Sequence, residues 1–333
     1  MPKPQETVLS VRDLHVDFQI KDQSGWPWTA AKRLRAVGGI SFDLHAGETL
    51  GIVGESGCGK STLARALLNL CPATSGKVAW MGQEMLGAPE SAWLAVRRNA
   101  QMIFQDPLAS LDPRMTVQQI IAEPLRTHQP NLPPTEVAAM VLAIMTKVGL
   151  SKEHMGRYPH EFSGGQAQRI GIARALILRP KVLICDEPVS ALDVSIQAQI
   201  VNLLRQLQEE FGLALIFIAH DLAVVKHISH RVMVMYLGKC MEIGDKHALY
   251  AQPGHPYTRA LLSAIPVPDP EIERAKTLLI LQGDLPSPLS PPSGCVFRSR
   301  CPQATTQCAK VVPPLAAVTN SSRVACVMGT SMA

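Results

Sequence analysis

The sequence predicts an α/β fold with a parallel sheet at its centre, and three observations carry that prediction. Two short apolar runs, VLICDE at residues 182–187 and LALIFIAH at residues 213–220, read as strands buried on both faces. Between them lies SIQAQIVNLLRQLQEEF, with apolar residues at helical spacing and Gly212 as its closing glycine. A further strand-like run, residues 48–53, leads into the glycine-rich turn GESGCGKST and then into the helical LARALLNL.

The remaining elements follow in chain order. Residues 8–20 alternate apolar and polar side chains like a strand. Residues 21–35, KDQSGWPWTAAKRLR, are polar, basic and interrupted by Gly25 and Pro27, and read as an inserted loop or hairpin tip. Residues 36–44 return to a strand pattern. From residue 105 to 161 the pattern is helical, most clearly in PTEVAAMVLAIMTKVGL. From Pro266 the texture changes: the last 68 residues hold ten prolines and little periodicity. Such a segment needs docking or a metal to hold a shape. The expected division is residues 1–265 as the core, with a helical part at about 106–162, and residues 266–333 as a C-terminal extension.

The totals exclude several classes. With 333 residues, 47% of them hydrophobic and 18% charged, the chain suits a globular protein with a large core. Its net charge of +5 is a mild excess that does not by itself indicate nucleic-acid binding. The first 20 residues lack the apolar core of a signal peptide, and no run of 18 apolar residues occurs. A soluble, cytoplasmic chain is expected, and a reducing compartment disfavours disulfides among its eight cysteines.

GESGCGKST, residues 54–62, follows a strand and opens a helix, the context that the phosphate-loop pattern requires. Gly54, Gly57 and Gly59 let the backbone curl so that the N–H groups of this stretch, including Glu55, Ser56 and Cys58, point at phosphate oxygens. Lys60 can reach the β- and γ-phosphates, and Ser61, followed by Thr62, can hold Mg²⁺. VLICDEP supplies carboxylates: Asp186 for Mg²⁺ through water, and Glu187 to polarise an attacking water. These features point to a nucleotide hydrolase. FSGGQAQR, at residues 162–169, is a second helix start built to meet phosphate. Lying about 20 residues before the Asp186 strand, it suits a nucleotide held by another subunit rather than by its own chain.

Taken together, these motifs resemble those of the ATP-binding-cassette (ABC) ATPases, the motor subunits of ABC transporters. GESGCGKST resembles the family's Walker A loop, and VLICDEP its Walker B strand with catalytic Glu187. FSGGQ, with Ser163, Gly164, Gly165 and Gln166, resembles the family signature, and Phe162 stands where leucine is commoner. The resemblance implies that Gln105 in IFQDP touches Mg²⁺ and senses a membrane subunit. It implies that Asp193 in SALD crosses a dimer interface, that His220 in IAHD meets the γ-phosphate, and that Phe18 stacks on adenine. HPYTRALLSAIPVPDPEIERAK and LPSPLSPPSGCVFRSRCP resemble the C-terminal extension of oligopeptide and dipeptide permease ATPases. The resemblance implies an α/β fold: a P-loop core, an antiparallel β subdomain, a helical insertion and a cysteine-bearing extension. It also implies ATP and Mg²⁺ as ligands, and head-to-tail closure with a second, homologous ATPase subunit. Two membrane permease subunits and an extracytoplasmic peptide-binding protein complete the implied partners, with no nucleic acid. The implied location is peripheral, on the cytoplasmic face of the bacterial inner membrane. A nickel or other small-solute importer is the nearer alternative, and a soluble ABC protein of DNA repair or translation the more distant one.

Cys295, Cys301, Cys308 and Cys326 are spaced C-x5-C-x6-C-x17-C. Zinc sites usually use tighter pairs. Zinc, a disulfide, unliganded thiols and an iron–sulfur cluster all stay open on spacing alone, although Pro302 after Cys301 matches the Cys-Pro of some cluster loops. The family resemblance favours a structural [4Fe–4S] cluster on these four residues. Cys58 reads as a small spacer in the loop, and Cys71, Cys185 and Cys240 as core.

Overall fold

A computed structural model describes residues 6–20, 32–266, 269–276, 278–319 and 321–328. Most of the 21–35 insertion, with Trp26 and Trp28, lies outside the described residues. In chain order the elements begin with β1 (Thr7–Ile20), β2 (Lys32–His45), β3 (Thr49–Val53), α1 (Lys60–Leu67), β4 (Ser75–Trp80) and β5 (Gln83–Glu84). Next come α2 (Glu90–Asn99), β6 (Ala100–Ile103), α3 (Val117–His128), α4 (Pro134–Lys147), α5 (Gly164–Leu176), β7 (Val182–Asp186), α6 (Val194–Phe211) and β8 (Ala214–Ile218). The chain continues with α7 (Leu222–Ile228), β9 (Arg231–Tyr236), β10 (Lys239–Asp245), α8 (Lys246–Ala251), α9 (Pro256–Ser263) and α10 (Pro270–Ala275). It ends in β11 (Ala316–Thr319) and β12 (Ser322–Val324). Among the described residues no helix is long and apolar enough to cross a membrane.

The chain divides into two compact bodies. The first comprises residues 1–9, 43–49 and 80–219. Its centre is a parallel ladder in which β7 pairs with β6 on one side and β8 on the other. All five residues of β7 and all five of β8 are buried, which explains the apolar runs at 182–185 and 214–218. α6 ends at Gly212 in the left-handed conformation, φ 65°, as the glycine led one to expect. The helical stretch expected at 105–161 is two helices, α3 and α4, joined to short 3-10 turns, and residues 105–116 are turns. Its prolines and glycine, Pro107, Pro113, Pro133 and Gly149, break the apolar periodicity into pieces. Thr116 and Gln119 form a reciprocal capping box that starts α3.

The second body comprises residues 10–42, 50–79 and 220–333. β2, β1 and β4 are neighbours in one sheet. β3 pairs in parallel with β9, β9 runs antiparallel to β10, and β10 runs antiparallel to β12. β12 in turn pairs with β11. The proline-rich tail therefore adds a hairpin to the sheet, Glu242 facing Val324 and Gly244 facing Ser322. These strands are only three and four residues long, too short to register as periodicity. Phe297 is fully buried, and its ring meets Tyr236 at 5.2 Å, Tyr257 at 5.2 Å and His255 at 5.5 Å between centroids. The tail is thus docked by backbone pairing and by aromatic packing.

Candidate functional site

In the second body β3 delivers the chain into the glycine-rich turn, and α1 leaves it. Gly59 caps α1 with φ 103°, and a Cβ there would stand 2.1 Å from the Ala36 carbonyl oxygen. A Cβ on Gly54, φ 156°, would stand 2.2 Å from the Met235 carbonyl oxygen. Only glycine satisfies both the dihedral angle and the space. Lys60 is 4% exposed, and its ammonium donates to the Gly54 carbonyl at 2.8 Å and the Glu55 carbonyl at 3.1 Å. The Cys58 thiol is buried against this lysine, and burial pushes its pKa up, as suits a spacer rather than a nucleophile. Ser56 and Gly57 are exposed, and Ser61 and Thr62 are half-buried at the start of α1. Phe18 is 39% exposed on β1, and His220 is exposed just after β8.

In the first body the parallel register does the positioning. Ile103 faces Cys185 across β6 and β7. Two residues further along the chain, just past the ends of β6 and β7, stand Gln105 and Glu187, and the Gln105 amide donates to the Glu187 carboxylate at 2.9 Å. Glu187 has φ 47°, left-handed for a non-glycine residue, and its N–H donates to the Ile218 carbonyl at 3.1 Å. A strained backbone fixed by a strand bond presets where its carboxylate points. Asp186 ends β7 and is 1% exposed, an oxygen donor of the hard type that Mg²⁺ prefers.

The signature helix start is in the same body. The Ser163 hydroxyl caps α5 by accepting from the Gln166 N–H at 3.4 Å, and the Gln166 side chain accepts from the Ser163 N–H at 3.1 Å. A Cβ on Gly164 would meet a Leu192 methyl at 3.3 Å, and one on Gly165 would meet the Ile196 Cγ2 at 2.7 Å. A side chain at residue 165 therefore meets resistance from its own chain. Asp193 stands exposed at the N-cap position of α6 and makes no side-chain capping bond.

The iron–sulfur expectation falls on Cys295, Cys301, Cys308 and Cys326. Among the described residues no group of three or more His, Cys, Asp or Glu side chains is placed to hold a metal ion. All eight cysteines are unbridged. The four tail thiols still occupy one neighbourhood. Burial raises the Cys295 pKa, and the charges of Cys308, Cys326 and Cys301 add to that; Cys301 is raised by burial and then by Cys326 and Cys308. The Cys295 N–H donates to the Cys308 carbonyl at 2.8 Å. The thiol of Cys308 is engaged by the Thr305 hydroxyl at 3.5 Å, which lowers its pKa. Cys326 is returned to this neighbourhood by the β11–β12 hairpin.

Two protein-family models match the chain: one described as "ABC transporter" over residues 37–190, the other as "Oligopeptide/dipeptide transporter, C-terminal region" over residues 241–308. The oligopeptide transport ATP-binding protein OppF of Escherichia coli is 62% identical over 311 residues, 93% of either chain. The chain belongs to the ABC transporter family. Another such ABC protein, OppF of Haemophilus influenzae, is 58% identical over 97% of both chains. Among solved ABC structures, cbiO1 of Clostridium perfringens superposes with a TM-score of 0.63 at 27% identity, covering 74% of this chain and 92% of that one. The ABC cassette MJ0796, in a dimer bound to ADP and phosphate, gives a TM-score of 0.64 at 24% identity, over 72% of this chain and 98% of its own. The α/β fold expected of the family is the fold observed.

Two participants escaped the sequence reading. Tyr257, at the start of α9, accepts a hydrogen bond from the Glu55 N–H at 3.0 Å, and Arg300 pairs with the Glu55 carboxylate at 2.8 Å. No local motif signals either, because the partners are 202 and 245 residues apart.

Proposed function

We propose that this chain is the ATP-hydrolysing motor subunit of an ABC importer for oligopeptides. One observation carries the reading: an ABC transporter match at residues 37–190 and an oligopeptide/dipeptide transporter match at 241–308 occur in one chain. Residues 1–265 form its ATPase part and residues 266–333 its extension. Lys60 and the backbone of residues 54–62 take the phosphates, Phe18 the adenine, and His220 the γ-phosphate. Ser61, Gln105 and Asp186 are the Mg²⁺ groups, and bound Mg²⁺ supplies charge neutralisation at the phosphates. Glu187, oriented by Gln105, positions and deprotonates the attacking water. Ser163, Gly164, Gly165, Gln166 and Asp193 meet the nucleotide of a second, homologous ATPase subunit. The pair drives two permease subunits from the cytoplasmic face of the inner membrane, fed by an extracytoplasmic peptide-binding protein.

The test is reconstitution of the intact complex in vesicles with a panel of oligopeptides, dipeptides and Ni²⁺. ATP-dependent uptake of peptides of three or more residues is expected. Uptake of Ni²⁺ or dipeptides alone would replace the proposed cargo, and uptake of nothing with normal ATPase activity would remove the importer role.

The proposal extends to Cys295, Cys301, Cys308 and Cys326 as ligands of a [4Fe–4S] cluster. Four thiols in one neighbourhood are the donor type that such a cluster takes, although they must close on one another from the arrangement described above. Anaerobically purified protein is expected to be brown, with about four irons per chain. Stoichiometric zinc without iron would make the site a zinc site, and neither metal would leave ordinary thiols.

A further inference from the structure

We propose that Arg300 is a positioning residue for the phosphate loop: by holding the Glu55 carboxylate it sets the affinity of this chain for ATP. The inference rests on the ATPase reading above and adds a residue to it.

Glu55 occupies a variable position of the G-x-x-x-x-G-K-S pattern, where the side chain has no assigned task. In this protein each of its polar groups is engaged. Its N–H donates to the Tyr257 hydroxyl at 3.0 Å, and its carbonyl accepts from the Lys60 ammonium at 3.1 Å. Its two carboxylate oxygens accept from one Arg300 nitrogen, Nη1, at 2.9 and 2.8 Å. The Arg300 side chain is 11% exposed and that of Glu55 26%, so solvent screens this pair less than an ordinary surface ion pair.

Arg300 is itself held. It lies in the turn between Cys295 and Cys301, where the Arg298 N–H donates to the Cys295 carbonyl and the Arg300 N–H to the Phe297 carbonyl. Phe297 roots this turn in the aromatic cluster of Tyr236 and Tyr257, and the Arg300 guanidinium lies 5.9 Å from the Tyr236 ring centroid. Tyr257 is fixed from the other side. The buried Glu242 carboxylate accepts from the N–H groups of Gly254 and His255 at 2.8 and 2.9 Å, and His255 caps α9 by accepting from the Tyr257 N–H at 3.1 Å. Glu55 is thus gripped by two elements far from it in sequence.

Two effects connect this grip to ATP. Lys60 must exchange the carbonyls of Gly54 and Glu55 for phosphate, and a loop already held in shape loses less freedom when it does so. Arg300 also neutralises a carboxylate inside a loop built for polyanions. Left unpaired, that carboxylate repels the incoming phosphates. Both effects act on binding. Neither touches Glu187 or Gln105, so the catalytic step itself is spared.

The experiment measures ATP Kd, KM and kcat on the full-length chain in its transporter complex, for wild type, R300Q, R300K, E55Q and the R300Q/E55Q double variant. R300Q is expected to raise Kd and KM roughly tenfold with kcat within about twofold of wild type. R300K should recover part of the loss by restoring the charge without the guanidinium's shape. The double variant should bind ATP no more weakly than R300Q, because the repelling carboxylate is gone. An R300Q protein with wild-type Kd would overturn the proposal. So would a double variant whose loss is the product of the single losses, or a fall in kcat with KM unchanged. Should R300Q fail to fold, R300K and E55Q decide: wild-type Kd in both sinks the idea. Absence of ATP binding by the wild type would instead sink the ATPase reading.

Discussion

Glu187→Gln is expected to bind ATP normally and to lose about 10²–10⁴-fold in hydrolysis at this chain's own site. That loss corresponds to roughly 3–5 kcal/mol of barrier. The substitution keeps the shape of the side chain but replaces a carboxylate, able to accept a proton, by an amide that cannot. It also sets one amide against another, since the Gln105 Nε2 donates to the Glu187 Oε2 in the native arrangement. The backbone around it should be undisturbed: φ of 47° at residue 187 is no worse for glutamine than for glutamate, and the bond to the Ile218 carbonyl uses only the main chain. The check is single-site turnover, with the partner ATPase subunit inactivated, beside an ATP-binding isotherm. Hydrolysis close to the wild-type rate would take Glu187 out of the chemistry. A lost isotherm would mean that the residue serves binding instead.

The parts of the molecule that sequence reveals are those whose physics is local. β7 and β8 are visible because burial on both faces demands runs of apolar residues, four in β7 before Asp186 and five in β8. The phosphate loop is visible because Gly54 and Gly59 must adopt positive φ beneath neighbouring carbonyls, which no other residue tolerates. The Ser163–Gln166 capping box is written at a fixed spacing of three. β6 is hidden, since four residues of AQMI carry no period, yet its register with β7 is what brings Gln105 to Glu187. The tail reads as structureless because its order comes from partners elsewhere: β10 for its hairpin, and Tyr236 and Tyr257 for Phe297. Arg300 looks like an ordinary surface cation for the same reason. Nothing near it in sequence announces a carboxylate in the phosphate loop.

Gly165→Asp is expected to abolish ATP-driven closure of the two ATPase subunits while ATP binding at this chain's own Lys60 survives. Residue 165 is the second residue of α5, in the helix start proposed above to meet the phosphate of the other subunit's nucleotide. An aspartate there places a negative charge against that phosphate and bulk in its path. The structure adds a competing cause, because a Cβ at 165 would stand 2.7 Å from the Ile196 Cγ2 on α6, and a β-branched side chain cannot swing away freely. The two causes separate in an Ile196→Ala background, which removes the obstructing methyl. Gly165→Ala should close poorly in the native background and recover with Ile196→Ala if the internal clash is the main cost. Gly165→Asp should stay open in both, since its charge still faces the phosphate. The measurement is ATP-dependent association of the two ATPase subunits, each carrying Glu187→Gln or its equivalent so that the closed state persists. Recovery of closure by Gly165→Asp in the Ile196→Ala background would show that the glycine serves only its own chain. Loss of ATP binding in the isolated Gly165→Asp subunit would remove the role proposed for it at the other subunit's nucleotide.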